Sequence, residues 1–165
     1  MSCAAVVVDT NVPIVANGDS HASRECVASC ARRLYSAAQH GEVVVDSDRR
    51  IIREYIRHLS PTGEPGPGDR FLKWLLRNEW NATRCAQVAI TPRGDSVEDY
   101  EEFPQDEALA RFDPADRKFV AVARAHPEHP PILEATDPDF WFARDVLEQY
   151  GVSVEFLCLD DIRPG

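Results

Sequence analysis

No stretch of this 165-residue chain is long and apolar enough to cross a bilayer. The run Ala4–Val8 falls far short of the roughly 20 residues a spanning helix needs, so no membrane partner is expected. The start, MSCAAVVVD, reaches Asp9 with no basic segment before it and reads as having no signal peptide. Cysteine is scarce and unpaired in pattern: Cys3, Cys26, Cys30, Cys85 and Cys158 are an odd number and form no CxxC. Cys26 and Cys30 lie four apart on one helix, too far for a comfortable local disulfide. The expectation is small buried thiols in a reducing cytoplasm. His21, His40, His58, His126 and His129 show no spacing that marks a metal or nucleophile site. Lysine is nearly absent, with only Lys73 and Lys118. There is no internal repeat and no shift in composition that would divide the chain, so residues 1–165 read as a single domain.

What is present is a core and an excess of acid. Apolar residues make up 44% of the chain, enough for a globular domain of this size. The net charge of −10 argues at first against a polyanionic partner. The excess is local, however. Residues 95–110 (DSVEDYEEFPQDEALA) hold seven acids and no base, and the rest of the chain stands at only −3. Most of the basic residues are arginine, whose planar fork suits phosphate.

Strand and helix patterns alternate. Strands are expected at 4–8, 42–45, 86–91, 131–136 and 152–159. Helices are expected at 21–40 with Gly41 as cap, from Ser47 or Asp48 to Leu59, and at 69–80, 113–125 and 139–150 with Gly151 closing the last. SPTGEPGPG (60–68) reads as a loop, and 95–107 as an exposed loop with at most one helical turn. Continuous β-branched strands of the VVV kind are buried on both faces. The alternation indicates a three-layer α/β/α domain with a mostly parallel central sheet.

Four acids sit at the ends of these elements. Asp9 follows the first strand and Asp137 the penultimate one, and ligands of parallel sheets bind outside the carboxyl ends of strands. A local Asx-turn would explain Asp9 alone. Asp116 follows Asp113 as N-cap and Pro114 as first helical residue, and shares a register with Phe119, Val120 and Ala123. It belongs to the sheet-facing stripe at its N-terminal end. A first-turn acid favouring the helix dipole would not need that register. Glu54 lies roughly 130° from the centre of the Ile51–Ile52–Tyr55–Ile56–Leu59 stripe, where periodicity alone suggests a solvated side chain. Asp139, two residues after Asp137, is either a further ligand or a first-turn acid. Carboxylates gathered in one pocket repel each other and need cations to stay ionised, and hard divalent ions prefer oxygen ligands.

The motifs VVVDTNV, IIREYIRHL, DRKFVAVA and TDPDF, in that order and over residues 5 to 157, resemble the PIN domain family. The resemblance implies a Rossmann-like α/β/α nuclease fold and a metal-dependent ribonuclease with one or two Mg²⁺ or Mn²⁺ ions. It implies Asp9, Glu54, Asp116 and Asp137 as the acidic positions, with Asn11 and Thr136 as supporting residues, and leaves Asp139 open as a fifth ligand. RNA is then the substrate, and Arg50, Arg53 and Arg57 on the Glu54 helix are either contacts to its backbone or a solvated charged face that Asp48 and Glu54 partly offset. An antitoxin, another protein or a second copy of the chain are the partners such a resemblance brings into view. The segment of about 60–110 is atypical for the compact toxin-type members.

Phosphoryl chemistry of other kinds fits less well. A receiver domain needs paired acids after its first strand and a lysine near its last, and a haloacid-dehalogenase-type phosphatase needs DxD. The first strand here ends in DTN. The remaining alternative is a non-catalytic PIN-like binding module whose acidic 95–107 segment docks a basic protein. A solvated loop that aids solubility explains that segment more simply.

Overall fold

The structure, a computed structural model, describes residues 4–96 and 98–163, and Cys3 lies outside the described residues. Five strands, β1 (Ala4–Val8), β2 (Gly41–Asp46), β3 (Cys85–Val88), β4 (Ile132–Glu134) and β5 (Val154–Phe156), form one sheet in the order β3-β2-β1-β4-β5. Every pairing is parallel. The helices are α1 (Asn11–Ala16), α2 (Arg24–His40), α3 (Arg50–His58), α4 (Pro67–Asn78), α5 (Arg117–Ala125), α6 (Pro138–Gln149) and α7 (Leu159–Ile162). On one side α1, α2 and α4 pack against one another, with α2 also against β1 and β2, while α5 packs against β1, β2 and β4. Right-handed crossovers put those two groups on opposite faces, giving the expected three-layer α/β/α architecture. The sheet is parallel throughout, which is why Val6, Val7, Val8, Val43, Val44 and Val45 are all buried.

Several local expectations are corrected. Between β1 and the helix expected from residue 21, where no element is expected, the chain forms the short helix α1, which buries Val12, Val15 and Ala16. Its Pro13 sits in the first turn, where a missing N–H costs no hydrogen bond. The α3 cap is neither Ser47 nor Asp48. The carboxylate of Asp46, at the end of β2, accepts from the Arg50 and Ile51 amides at 2.9 and 2.8 Å. Arg49 takes a left-handed conformation (φ 62°) and makes a two-pronged ion pair with buried Glu79.

The segment 60–110 is built into the layers. Gly68 approaches α1 so closely that a Cβ there would meet the Pro13 carbonyl oxygen at 2.1 Å. The Asn17 side chain accepts from the Gly68 amide and donates to Asp69. Within the acidic stretch, Tyr100, Phe103 and Leu109 are buried, so it is no simple exposed loop. Phe103 contacts Phe112, which packs edge-on against Phe140 of α6. A pattern of acids concealed those anchors.

The expectation of free thiols holds for Cys30 and Cys85, both buried, and fails for Cys26 and Cys158, which form a disulfide. The partners are 132 residues apart in sequence, so no local spacing could reveal them. Burial pushes both free thiols up to about 12, with Asp161 adding to the effect at Cys30 and Glu79 at Cys85. Among the described residues no helix is long and apolar enough to cross a membrane.

Candidate metal centre

The strand order reverses direction between β1 and β4. In open parallel sheets the crevice outside the strand ends at such a reversal is where ligands bind. β1 and β4 are in register as Val7 to Ile132 and Val8 to Leu133, and the Asp9 amide donates to the Leu133 carbonyl. One further step along both chains brings Asp9 beside Glu134. The two carboxyls lie within hydrogen-bonding reach of each other.

Asp9, Glu134 and Asp137 each offer a carboxylate oxygen within 4.8 Å of the others. Asp113, Asp116 and Asp139 form a second such group. The groups are joined electrostatically, because Asp116 feels the charge of Asp9 and shares a hydrogen bond with Asp137. The scaffold around them is specific. The Asp137 side chain caps α6 through the Asp139 amide at 2.9 Å. Asp113 caps the 3-10 turn 114–116 that leads into α5, so Asp116 arrives at the crevice as its register suggested. Asn11 accepts from both the amide and the hydroxyl of Thr136, at 2.7 and 3.1 Å, and so ties the end of β1 to the end of β4.

Glu134 is the residue sequence reasoning missed. It is fully buried. Its Oε1 accepts from the amides of Ala135 and Asp137, and its Oε2 has no hydrogen-bond donor among the described residues. The signal was present as a lone acid inside the apolar strand of PILEAT, since an unpaired buried glutamate is rare. The reading that placed the strand end at Thr136 drew attention to Asp137 instead.

Glu54 stands beside these groups and belongs to neither among the described residues. Its Oε1 accepts from Lys118 Nζ at 2.7 Å and its Oε2 from the Thr10 hydroxyl. Lys118 also donates to the Ala115 carbonyl. Glu54 is buried, not solvated as periodicity suggested, and its charge reaches Asp9. Arg53 and Arg57 are exposed on the outer side of α3. With Arg50, Tyr100, Pro114 and Lys118 they line a depression of about 510 Å³ that shares Lys118 with Glu54. Arg50 is partly engaged by Asp48 at 2.7 Å and lies over the Tyr100 ring.

Electrostatics follow from this crowding. Burial pushes Asp9 up to about 7; its hydrogen bond with Glu134 offsets this in part, and the charges of Asp137 and Glu54 reinforce it. Asp116 is pushed up to about 9, by burial first and then by Asp9 and Asp137. Glu134 is raised well above the carboxylate range by burial and by Asp9, and Asp139 is raised by burial and by Asp137. The arrangement must hold protons near neutral pH or hold a cation. An all-carboxylate oxygen set with a buried, undonated Oε2 fits a hard divalent ion such as Mg²⁺ or Mn²⁺.

Comparison of the chain with family profiles, with curated proteins and with solved structures found no match.

Proposed function

We propose that the chain is a metal-dependent ribonuclease of the PIN type, hydrolysing phosphodiester bonds of RNA at the β1–β4 crevice. The observation that carries this reading is the convergence of Asp9, Glu134, Asp137 and Asp116 at the switch point, with one buried carboxylate oxygen left undonated. Asp9, Glu134 and Asp137 would hold one ion, and Asp113, Asp116 and Asp139 a second. Bound there, Mg²⁺ or Mn²⁺ would polarise the phosphate and lower the pKa of a coordinated water. Asn11 keeps Thr136 and Asp137 in place. Glu54 fixes Lys118 and Thr10 at the margin of the site and adds its charge to Asp9. Arg53 and Arg57, with Arg50, offer the phosphate backbone a cationic track beside the acids.

The PIN reading rests on the sequence motifs and on this geometry. It brings with it a cytoplasmic site of action and either an antitoxin or a second copy as partner. The test is cleavage of single-stranded RNA by the full chain with Mn²⁺, with EDTA, and as Asp116→Asn. Activity that survives chelation and the substitution would remove the proposal. A non-catalytic binding module is favoured by one feature, the exposed Asp95, Glu98, Glu101 and Glu107 on a stretch held in place by buried aromatics. In that case a basic protein partner would bind, and RNA would remain intact under every ionic condition.

A further inference from the structure

Away from the carboxylates, the sulfurs of Cys26, Cys30 and Cys158 all lie within 4.8 Å of one another, and all three residues are buried. Cys26 and Cys30 are four residues apart on α2 and so share one face of that helix, and Cys158 is the residue that caps α7. Cys26 and Cys158 line a cavity of about 310 Å³ whose rim carries Glu25, Asp160 and Asp161. Cys30 Sγ stands 3.8 Å from Cys158 Sγ without being bonded to it. A zinc–sulfur bond of about 2.3 Å in a tetrahedron requires its sulfurs to stand about 3.8 Å apart, so this pair already has ligand spacing.

We propose that, once the Cys26–Cys158 disulfide is reduced, the three sulfurs bind a thiophilic divalent ion of the zinc class, with its fourth position open to the cavity. The reduction uses a thiol reductant. Two of its thiols leave as a disulfide, and Cys26 and Cys158 each gain a proton. Binding then releases the thiol protons to solvent as thiolate–metal bonds form.

Reduction does not scatter the ligands. The C-terminal turn stays on α2 through two hydrogen bonds from Ser23, amide and hydroxyl, to Asp161 at 2.8 and 2.7 Å. Arg33 pairs with Glu155 of the adjoining segment at 2.7 Å. Cys26 lies in the first turn of a 17-residue helix, where the positive helix end favours a thiolate. Soft sulfur ligands and rim carboxylates suit zinc, whereas the β1–β4 crevice offers oxygen alone. The same three sulfurs are therefore either a metal site or a disulfide with a spare thiol, and oxidation excludes the ion.

The test uses the full chain, reduced with dithiothreitol, exchanged into reductant-free buffer under argon and titrated with Co²⁺. One equivalent should produce a sulfur-to-cobalt charge-transfer band that Zn²⁺ abolishes by displacement. The band should be lost in Cys30→Ser and in the oxidised wild type, and kept in Cys85→Ser. Circular dichroism of each variant identifies any loss that comes from unfolding, and the wild type compared in its two redox states carries the test without any substitution. A reduced wild type that gives no such band overturns the proposal, as does a band that persists in folded Cys30→Ser. Cobalt bound only by the carboxylates gives no sulfur band, so failure here leaves the ribonuclease reading standing, and the reverse holds too.

Discussion

The crevice around Asp9 and the stretch 95–110 are both crowded with acid, yet their carboxylates behave in opposite ways. In the stretch each half-buried acid has a partner. Asp99 pairs with Arg93 and Arg117, Glu102 accepts from the amide and hydroxyl of Thr91, and Asp106 accepts from the Ala108 amide and the Tyr150 hydroxyl. Those hydrogen bonds hold Asp106 below the ordinary carboxylate range. In the crevice, Asp9 acts on both Asp116 and Glu134, and all three are raised. The count of acids is therefore a poor guide. A carboxylate whose neighbours are donors and cations is structural, and one whose neighbours are other carboxylates awaits a cation or a proton even where an amide also reaches it.

The comparison breaks first on activity. Asp9→Asn and Asp116→Asn should each lower Mn²⁺-dependent RNA cleavage by at least about 100-fold, beyond what changes outside a metal's direct ligands cause. Asp106→Asn should leave the rate unchanged in the same gel assay. A comparable loss in all three variants would erase the distinction between the regions.

Stability against pH is next in size. Asp9 and Asp116 have folded-state values of about 7 and about 9 against an ordinary 3.8, so each favours the folded state most while protonated. That contribution is fully present below about pH 4 and is lost as pH rises through 7 and then 9. Without divalent ions, Tm should fall by several degrees from about pH 5 to pH 8, at roughly 2–4 °C per kcal/mol. Mn²⁺ should restore it, more at the higher pH, because ion and proton compete for the same oxygens. Calorimetric melts with and without Mn²⁺ check both signs.

Glu134→Gln is expected to do less and in an unusual direction. Burial and Asp9 keep this carboxyl protonated in the metal-free site, so an amide that cannot ionise should raise the metal-free Tm by a few degrees, about 1 kcal/mol, only at alkaline pH, while blunting the response to Mn²⁺. The smallest effect belongs to the paired region. Asp99→Asn should cost about 0.5 kcal/mol in urea unfolding, since it leaves the guanidinium of Arg117 over Phe103 with one partner fewer.

The same contrast explains what the sequence could convey. The α/β alternation, the apolar parallel strands and the strand-end place of Asp9 all arise from local pattern, and all are present; Asp113 and Pro114 open a 3-10 turn that runs into α5 rather than α5 itself. Glu134 needed the register of β4 against β1, which no single segment carries. Asp46 as the α3 cap was hidden because a strand residue does the work of a loop residue. Tyr100 and Phe103 were masked by neighbouring acids, and the Cys26–Cys158 bond by its long separation. Glu54 shows the limit from the other side. Periodicity put it outside the buried stripe and Ile56 inside it, whereas Glu54 is buried against Lys118 and Thr10, which come from other elements, and Ile56 is exposed.

The central claim is that the crevice carboxylates hold a divalent ion. Calorimetric titration of the full chain with Mn²⁺ at neutral pH, for wild type and Asp9→Asn side by side, tests it most directly. One or two equivalents should bind the wild type with release of protons, and binding should be lost in the variant. Absence of binding to the wild type, or an unchanged isotherm in folded Asp9→Asn, would contradict it.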